Sequence, residues 1–220
     1  MKLSRFAAVI VLASVICVSM IIRNEKRSSA QGHPPQKPIV AQTTLENMQS
    51  AYAAESGAVE KYLLYAAKAD REGYKKAAQL FRAAAESQRI RAASHAKVIA
   101  GAGAVPNANT LKHTVKSTKE NLEEAIKKET EEVEKIYPKF LTQAKADNSN
   151  LATMIFESSI KVSSNRVKLF KDALNNLQTW KTASAKGFFV CQMCGNLVQV
   201  VDFTDCPICG YPASEYKQIF

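Results

Sequence analysis

The sequence predicts a mainly α protein: a four-helix bundle followed by a small β module built on cysteine knuckles. Three observations carry that reading. Of 220 residues 46% are hydrophobic but only 8% aromatic, with 8 Gly and 7 Pro. This is the composition of a globular, helix-rich chain rather than a sandwich, a barrel or a disordered segment. Between about residues 43 and 178, apolar residues recur at helical spacing in four long segments. Four of the 5 cysteines crowd together near the end of the chain as two Cys-x-x-Cys pairs. At this length one main core plus a small appendage is the natural division.

The first element is an address. Met1–Arg5 is a short basic start, Phe6–Ile22 is free of charge and contains Cys17, and Arg23–Arg27 is followed by Ser28-Ser29-Ala30. This is the layout of a secretory signal cut after Ala30. The apolar run also reaches the lower limit for crossing a bilayer, so an uncleaved membrane anchor stays open. Residues 1–30 therefore predict export to the periplasm or an equivalent extracytoplasmic compartment. Residues 31–42 contain Pro34, Pro35 and Pro38 and read as a stiff linker. The net charge of +10 is no nucleic-acid signal: beyond the N-terminal segment, Lys and Arg are interleaved with Glu along the helices, with no basic stripe carrying aromatics.

The bundle is predicted over residues 43–181, with helices near 43–71, 74–100, 117–146 and 150–178. Thr43-x-x-Glu46 and Ser117-x-x-Glu120 read as capping boxes. Turns fall near Gly73 and Asp147–Asn150, and Gly101–His113 links the two pairs. The pairs resemble each other. Glu46-Asn47-Met48 recurs as Glu120-Asn121-Leu122, and Val59-Glu60-Lys61 as Val133-Glu134-Lys135, at one offset. Ala67-Lys68-Ala69-Asp70 recurs, slightly shifted, as Ala144-Lys145-Ala146-Asp147. A duplicated helical hairpin explains this.

Each helix carries polar groups on its inward stripe near mid-length. Helix one runs Met48, Tyr52, Glu55, Val59, Tyr62. Helix three runs Leu122, Ile126, Glu129, Val133, Ile136, Phe140, with Glu132 on a neighbouring ridge. Helix two presents Gln88, Arg91 and His95, and helix four Ser159, Ser163 and Arg166. Isolated charges in a core cost several kcal/mol, so these groups need internal partners or a metal.

The last module, residues 182–220, holds Cys191-Gln-Met-Cys194-Gly and Cys206-Pro-Ile-Cys209-Gly. Each knuckle presents two thiolates at tetrahedral spacing, and the following glycines permit the tight turns. A four-sulfur site suits Fe or Zn, and disulfide pairing is the alternative in an oxidising compartment. Phe188, Phe189, Val190, Val198, Val200 and Phe203 are expected to form its small core.

Ala53-Ala54-Glu55-Ser56, Leu80 to Ala85, Ile136-Tyr137-Pro138-Lys139-Phe140 and the four terminal cysteines resemble the rubrerythrin family over nearly everything after residue 40. The resemblance implies a ferritin-like four-helix bundle with a small C-terminal rubredoxin-like domain, and one Fe, or alternatively Zn, at Cys191, Cys194, Cys206 and Cys209. It further implies a di-iron centre that reduces hydrogen peroxide. Electrons would arrive through the rubredoxin-type iron, usually from the partner subunit of a head-to-tail dimer. The family pattern takes one Glu from helix one, two from helix three and a Glu-x-x-His from each of helices two and four. Glu55, Glu129 and Glu132 match the single-Glu positions, and Tyr62 and Tyr137 match the family's nearby tyrosines. Gln88-Arg89-Ile90-Arg91 and Ser163-Ser164-Asn165-Arg166 stand where the two Glu-x-x-His motifs belong.

Arg has no acceptor and a permanent positive charge, so it cannot replace His as a ligand. The expectation is that the di-iron centre is absent and that Arg91 and Arg166 form buried ion pairs with Glu55, Glu129 and Glu132. His95, one turn beyond the lost ligand position, reads as a packed or capping histidine. Three functions follow. The preferred one is a non-catalytic structural or assembly subunit, as a homo-oligomer or within an exported redox enzyme complex, because an electron carrier alone would not need a bundle. The others are electron transfer through the rubredoxin-type iron and peroxide reduction at an atypical di-iron site.

Overall fold

The computed structural model describes residues 40–108, 112–182 and 187–220, all within one compact unit, Pro38–Phe220. The signal or anchor read at 1–30 and most of the linker at 31–42 lie outside the described residues. Among the described residues no helix is long and apolar enough to cross a membrane.

Helix α1 (Gln42–Arg71) and α2 (Lys75–Gly101) form the first hairpin. They turn at Gly73, whose φ of +80° lies in the left-handed region that glycine adopts without a Cβ clash. The second pair runs α3 (Thr118–Glu131), a π-helical segment (Glu132–Ile136), α4 (Tyr137–Ala146) and α5 (Asn150–Asn175), followed by short α6 (Leu177–Thr182). The expected continuous helix over 117–146 is thus interrupted. The π turn rotates the inward stripe, so that Tyr137 (1% exposed), not Ile136, faces the core after Val133.

The Ser117 capping box forms: Ser117 Oγ accepts from the Glu120 amide, and the Glu120 carboxylate accepts from the Ser117 amide at 3.2 Å. The Thr43 box does not. The amide of Leu45 already bonds the carbonyl of Ala41, so the helix begins before Thr43 and Glu46 instead accepts from Gln42 Nε2 at 3.0 Å. Glu72, just past α1, ties the pairs together by accepting from the Thr118 amide (2.8 Å) and hydroxyl (2.6 Å) at the start of α3.

Two apolar clusters fill the bundle. Tyr62, Tyr65, Phe81 and Phe170 pack with ring centroids 5.4–6.3 Å apart at one end. Met48, Val98, Ile99, Tyr137 and Phe156 fill the other. On each of α1, α2 and α5 the mid-helix polar residues fall in sequence between members of the two clusters, which makes a charged layer between two apolar ones.

The C-terminal module is a three-stranded antiparallel sheet of order β2-β1-β3: β1 (Phe188–Cys191), β2 (Leu197–Val198) and β3 (Tyr216–Ile219). Phe189 pairs with Val198, and Cys191 with Tyr216. Phe188, Val190 and Leu197 join the bundle's first cluster, and Phe188 lies 6.1 Å from Trp180. The module therefore shares its core with the helices instead of building its own. Val200, expected in that small core, is 63% exposed for the same reason.

Candidate metal centre and the buried charge layer

The four cysteine sulfurs lie within 4.8 Å of one another, with Cys191–Cys209 and Cys194–Cys206 both at 3.7 Å. A tetrahedral site with metal–sulfur bonds of about 2.3 Å has sulfur edges of about 3.8 Å, so the donor set fits a tetrathiolate metal. All four thiols are free, and the Cys191–Cys209 and Cys194–Cys206 sulfur pairs stand at tetrathiolate spacing. Each knuckle is closed by a glycine amide, Gly195 to the Cys191 carbonyl and Gly210 to the Cys206 carbonyl, both at 2.9 Å. The Cys194 thiol, hydrogen-bonded to Cys191, holds the Cys191 pKa down to about 5 against its burial. Tyr216 donates to the Cys206 sulfur at 3.1 Å.

The first knuckle rests on α2 and α5. Ser87 Oγ donates to the Gly195 carbonyl at 2.5 Å, and Asn165 Nδ2 to Asn196 Oδ1 at 2.9 Å. Val162 packs against Cys191, Cys194 and Cys206. Gly195 (φ +78°) is required here: a Cβ would meet the Ser87 carbonyl oxygen at 2.8 Å and Arg91 Cγ at 3.1 Å.

Behind this contact lies the charged layer. Arg91 Nε donates to Glu55 Oε1 at 2.9 Å, Tyr137 donates to the same oxygen at 2.7 Å, and Arg91 Nη2 bonds Ser159. Arg166 grips Glu129 with both arms, Nε to Oε1 at 2.9 Å and Nη2 to Oε2 at 2.8 Å. Its other bonds go to Ser87 and Ser163, each at 2.8 Å. Tyr62 (2.8 Å) and Gln88 (3.2 Å) also donate to Glu129. Both arginines and both carboxylates are 0–3% exposed. Arg166 Nη1, Ser87 and Gly195 make a hydrogen-bonded line from the centre of the bundle to the cysteine knuckle.

The electrostatics follow from this pairing. Burial would raise the Glu55 pKa, but the Arg91 guanidinium and then His95 overcome it and hold it at about 2. Arg91 and Arg166 are pushed the other way by their carboxylates, above the usual arginine range despite desolvation. Burial, and then the neighbouring carboxylates, push the Tyr62 and Tyr137 phenols well up, so both stay protonated donors.

Glu132 corrects the sequence expectation. Neither arginine bonds it, its Oε2 is buried without a hydrogen-bond partner, and burial followed by the charge of Glu129 raises its pKa to about 8. The guanidinium groups bond Glu55, Glu129 and nearby serines instead. Glu132 opens the π turn while its own amide still bonds the Lys128 carbonyl, so the register changes only beyond it.

His95 is the residue the sequence reading undervalued. Its Nε2 lies 3.2 Å from Glu55 Oε2, close enough for an ion pair though not aligned as a hydrogen bond, and Nδ1 lies 3.0 Å from Met48 Sδ. Its spacing of one turn from Arg91 puts it on the same ridge, which was the signal. Ser87 sits beside Gln88 off the inward stripe and carried no signal at all. The π turn had one: the repeat offset is constant through Lys135 and larger by Ala144, so the duplication breaks its register across this stretch.

Residues 46–163 match the family model described as rubrerythrin. The chain is 28% identical to rubrerythrin-2 of Clostridium acetobutylicum over 182 residues, covering 79% of this chain and 95% of that protein. It is 27% identical to nigerythrin of Nitratidesulfovibrio vulgaris, covering 79% and 85%. A structure of nigerythrin in a mixed-valence state superposes with a TM-score of 0.75 at 25% identity, over 88% of this chain and 94% of that one. Bacterioferritin of Rhodobacter capsulatus, at 18% identity and TM-score 0.59, shares the bundle fold over 63% of this chain and 88% of its own. The match over more than half of the chain, together with the helical bundle and the four-cysteine cluster, shows that the chain belongs to the rubrerythrin family.

Proposed function

We propose that this protein is a single-iron electron-transfer member of its family, whose bundle holds no metal and serves as the rigid platform of the cysteine site. The carrying observation is the two-armed bond of Arg166 to Glu129 at the centre of the bundle. A di-metal centre needs carboxylates and imidazoles. Gln88, Arg91, Ser163 and Arg166 stand in those positions, and the two guanidiniums already satisfy Glu55 and Glu129. Two metal ions would have to displace two fixed cations, so the residues present do not fit a di-iron centre.

The cysteines do fit a metal, and iron is favoured because a similar nigerythrin structure is described as all ferrous. When bound, that iron supplies one-electron chemistry. The chain's own residues orient it: Ser87 anchors the knuckle, Tyr216 donates to a ligand sulfur, and the first apolar cluster joins module to bundle. This docking answers the objection that a carrier needs no bundle. Export, read from the charge-free run Phe6–Ile22, belongs to the proposal. A second reading, a structural or assembly subunit, is favoured by one observation: neighbouring Leu63 and Leu64 on α1 are 49% and 38% exposed, an apolar face suited to a second copy or a larger complex.

The test is the count of Fe and Zn per full-length chain purified from its native host. About one Fe, with a visible ferric-thiolate spectrum that bleaches and returns, is expected. About one Zn without Fe would leave the structural reading alone. About three Fe would overturn the metal-free bundle and restore peroxide reduction. Restoring both motifs together (Gln88→Glu, Arg91→His, Ser163→Glu, Arg166→His) is expected to raise the count toward three.

A further inference from the structure

A cleft of about 420 Å³ opens where the cysteine module meets α2 and α5, a volume within the ordinary range of small-molecule sites. Arg91 comes from α2, Met154 and Ser158 from α5, and Met193, Cys194 and Cys209 from the module. Three features define what would occupy it. First, Arg91 is 3% exposed and lines the cleft, and among the described residues its Nη1 has no partner, since Nε serves Glu55 and Nη2 serves Ser159. Second, its positive charge is already matched by Glu55 at 2.9 Å, so the cleft offers a spare donor without spare charge. That combination selects a neutral acceptor such as a carbonyl oxygen over an anion. Third, much of the remaining wall is apolar and adaptable, with Met154 and Met193 66% and 41% exposed, beside the hydroxyl side chains of Ser94, Ser158 and Tyr211.

Two of the four cysteines of the candidate metal site, Cys194 and Cys209, line the same cleft, so its occupant sits beside that site. We propose that the cleft binds a small quinone, one carbonyl oxygen on Arg91 and the flat apolar ring between Met154 and Met193. The choice of an electron-accepting carbonyl compound rests on the reading of the cysteines as a redox metal site. The binding itself does not require iron.

The experiment uses the full chain loaded with Zn, which binds ligand without electron exchange, and 1,4-naphthoquinone followed by equilibrium dialysis and by methionine methyl NMR. Saturable binding of one quinone per chain is expected, with shifts of the Met154 and Met193 methyl signals. Naphthalene, the same shape without an acceptor, is expected to bind at least about tenfold more weakly, the ratio that a lost hydrogen bond to a charged donor produces. Met154→Trp, on the surface of α5, fills the cleft and is expected to weaken quinone binding by about tenfold or more while leaving the fold intact. No saturable binding, equal binding of naphthalene, indifference to Met154→Trp, or capture only as a covalent cysteine adduct would each overturn the site. The iron count of the native protein decides the redox reading separately, so the two failures are distinguishable.

Discussion

Arg166→Met separates a structural ion pair from an ornamental one. Arg166 is fully buried and makes four hydrogen bonds: two to Glu129 at 2.9 and 2.8 Å, and one each to Ser87 and Ser163 at 2.8 Å. Met is close in length but supplies no donor and no charge. Glu129, 1% exposed, would keep only the neutral donors Tyr62 and Gln88. Leaving one partner of a buried pair uncompensated costs about 3–5 kcal/mol. For a chain of this size that lowers Tm by roughly 6–20 °C. The counter-variant is Arg166→Met with Glu129→Gln, which removes the charge that was stranded. Replacing a whole buried pair by neutral groups is often close to neutral, so the double variant should recover most of the loss. The assay is denaturant unfolding of metal-loaded protein, followed by helical circular dichroism. A single variant within about 1 kcal/mol of the parent, the range of an unremarkable substitution, would refute the reasoning. So would a double variant no more stable than the single.

Two further perturbations test other parts of the layer. Glu132 has its pKa raised to about 8 by burial and by Glu129, so the folded state favours its protonated form. That contribution is fully present below about pH 4.5 and is lost as pH rises through about 8. Glu132→Gln should therefore match the parent at pH 4.5 and gain up to about 3 kcal/mol over it at pH 7; unfolding curves at the two pH values check this, and parallel pH profiles would contradict it. Gly195→Ala puts a Cβ 2.8 Å from the Ser87 carbonyl oxygen at a φ of +78°, whereas Gly210→Ala, at φ +73°, meets nothing within 4 Å. Gly210→Ala should cost only the left-handed backbone strain of about 1–2 kcal/mol. Gly195→Ala should cost more and speed metal loss to a chelator, and equal effects at the two glycines would refute the docking of the knuckle on α2.

The bundle, the polar mid-helix positions of its four helices and the four-cysteine knuckles were legible from residue type and spacing. Helical periodicity and Cys-x-x-Cys spacing are local properties, and Gln-x-x-Arg and Ser-x-x-Arg stand out as departures only against the Glu-x-x-His pattern that the family resemblance supplies. The pairing was only partly legible. That buried arginines face buried glutamates follows from the cost of unpaired charge, but which partner each takes does not. Glu132 was expected to share a guanidinium and has none.

What the sequence alone determined is the chemistry available: three carboxylates, two permanent cations and four thiols, each at a position where helical or knuckle geometry turns it inward. The tertiary structure decided how they are shared. A single π turn, whose break in register the repeat offset signals without its consequences, moved Tyr137 into the core, while Glu132 at its start received no guanidinium. His95 reached Glu55 only because α1 and α2 lie in register, and Ser87 joined Arg166 to the cysteine knuckle only because the small sheet lacks a core of its own and completes it on the bundle. These are contacts between residues far apart in the chain, set by how whole helices and a sheet fill space against each other, and no local pattern encodes them.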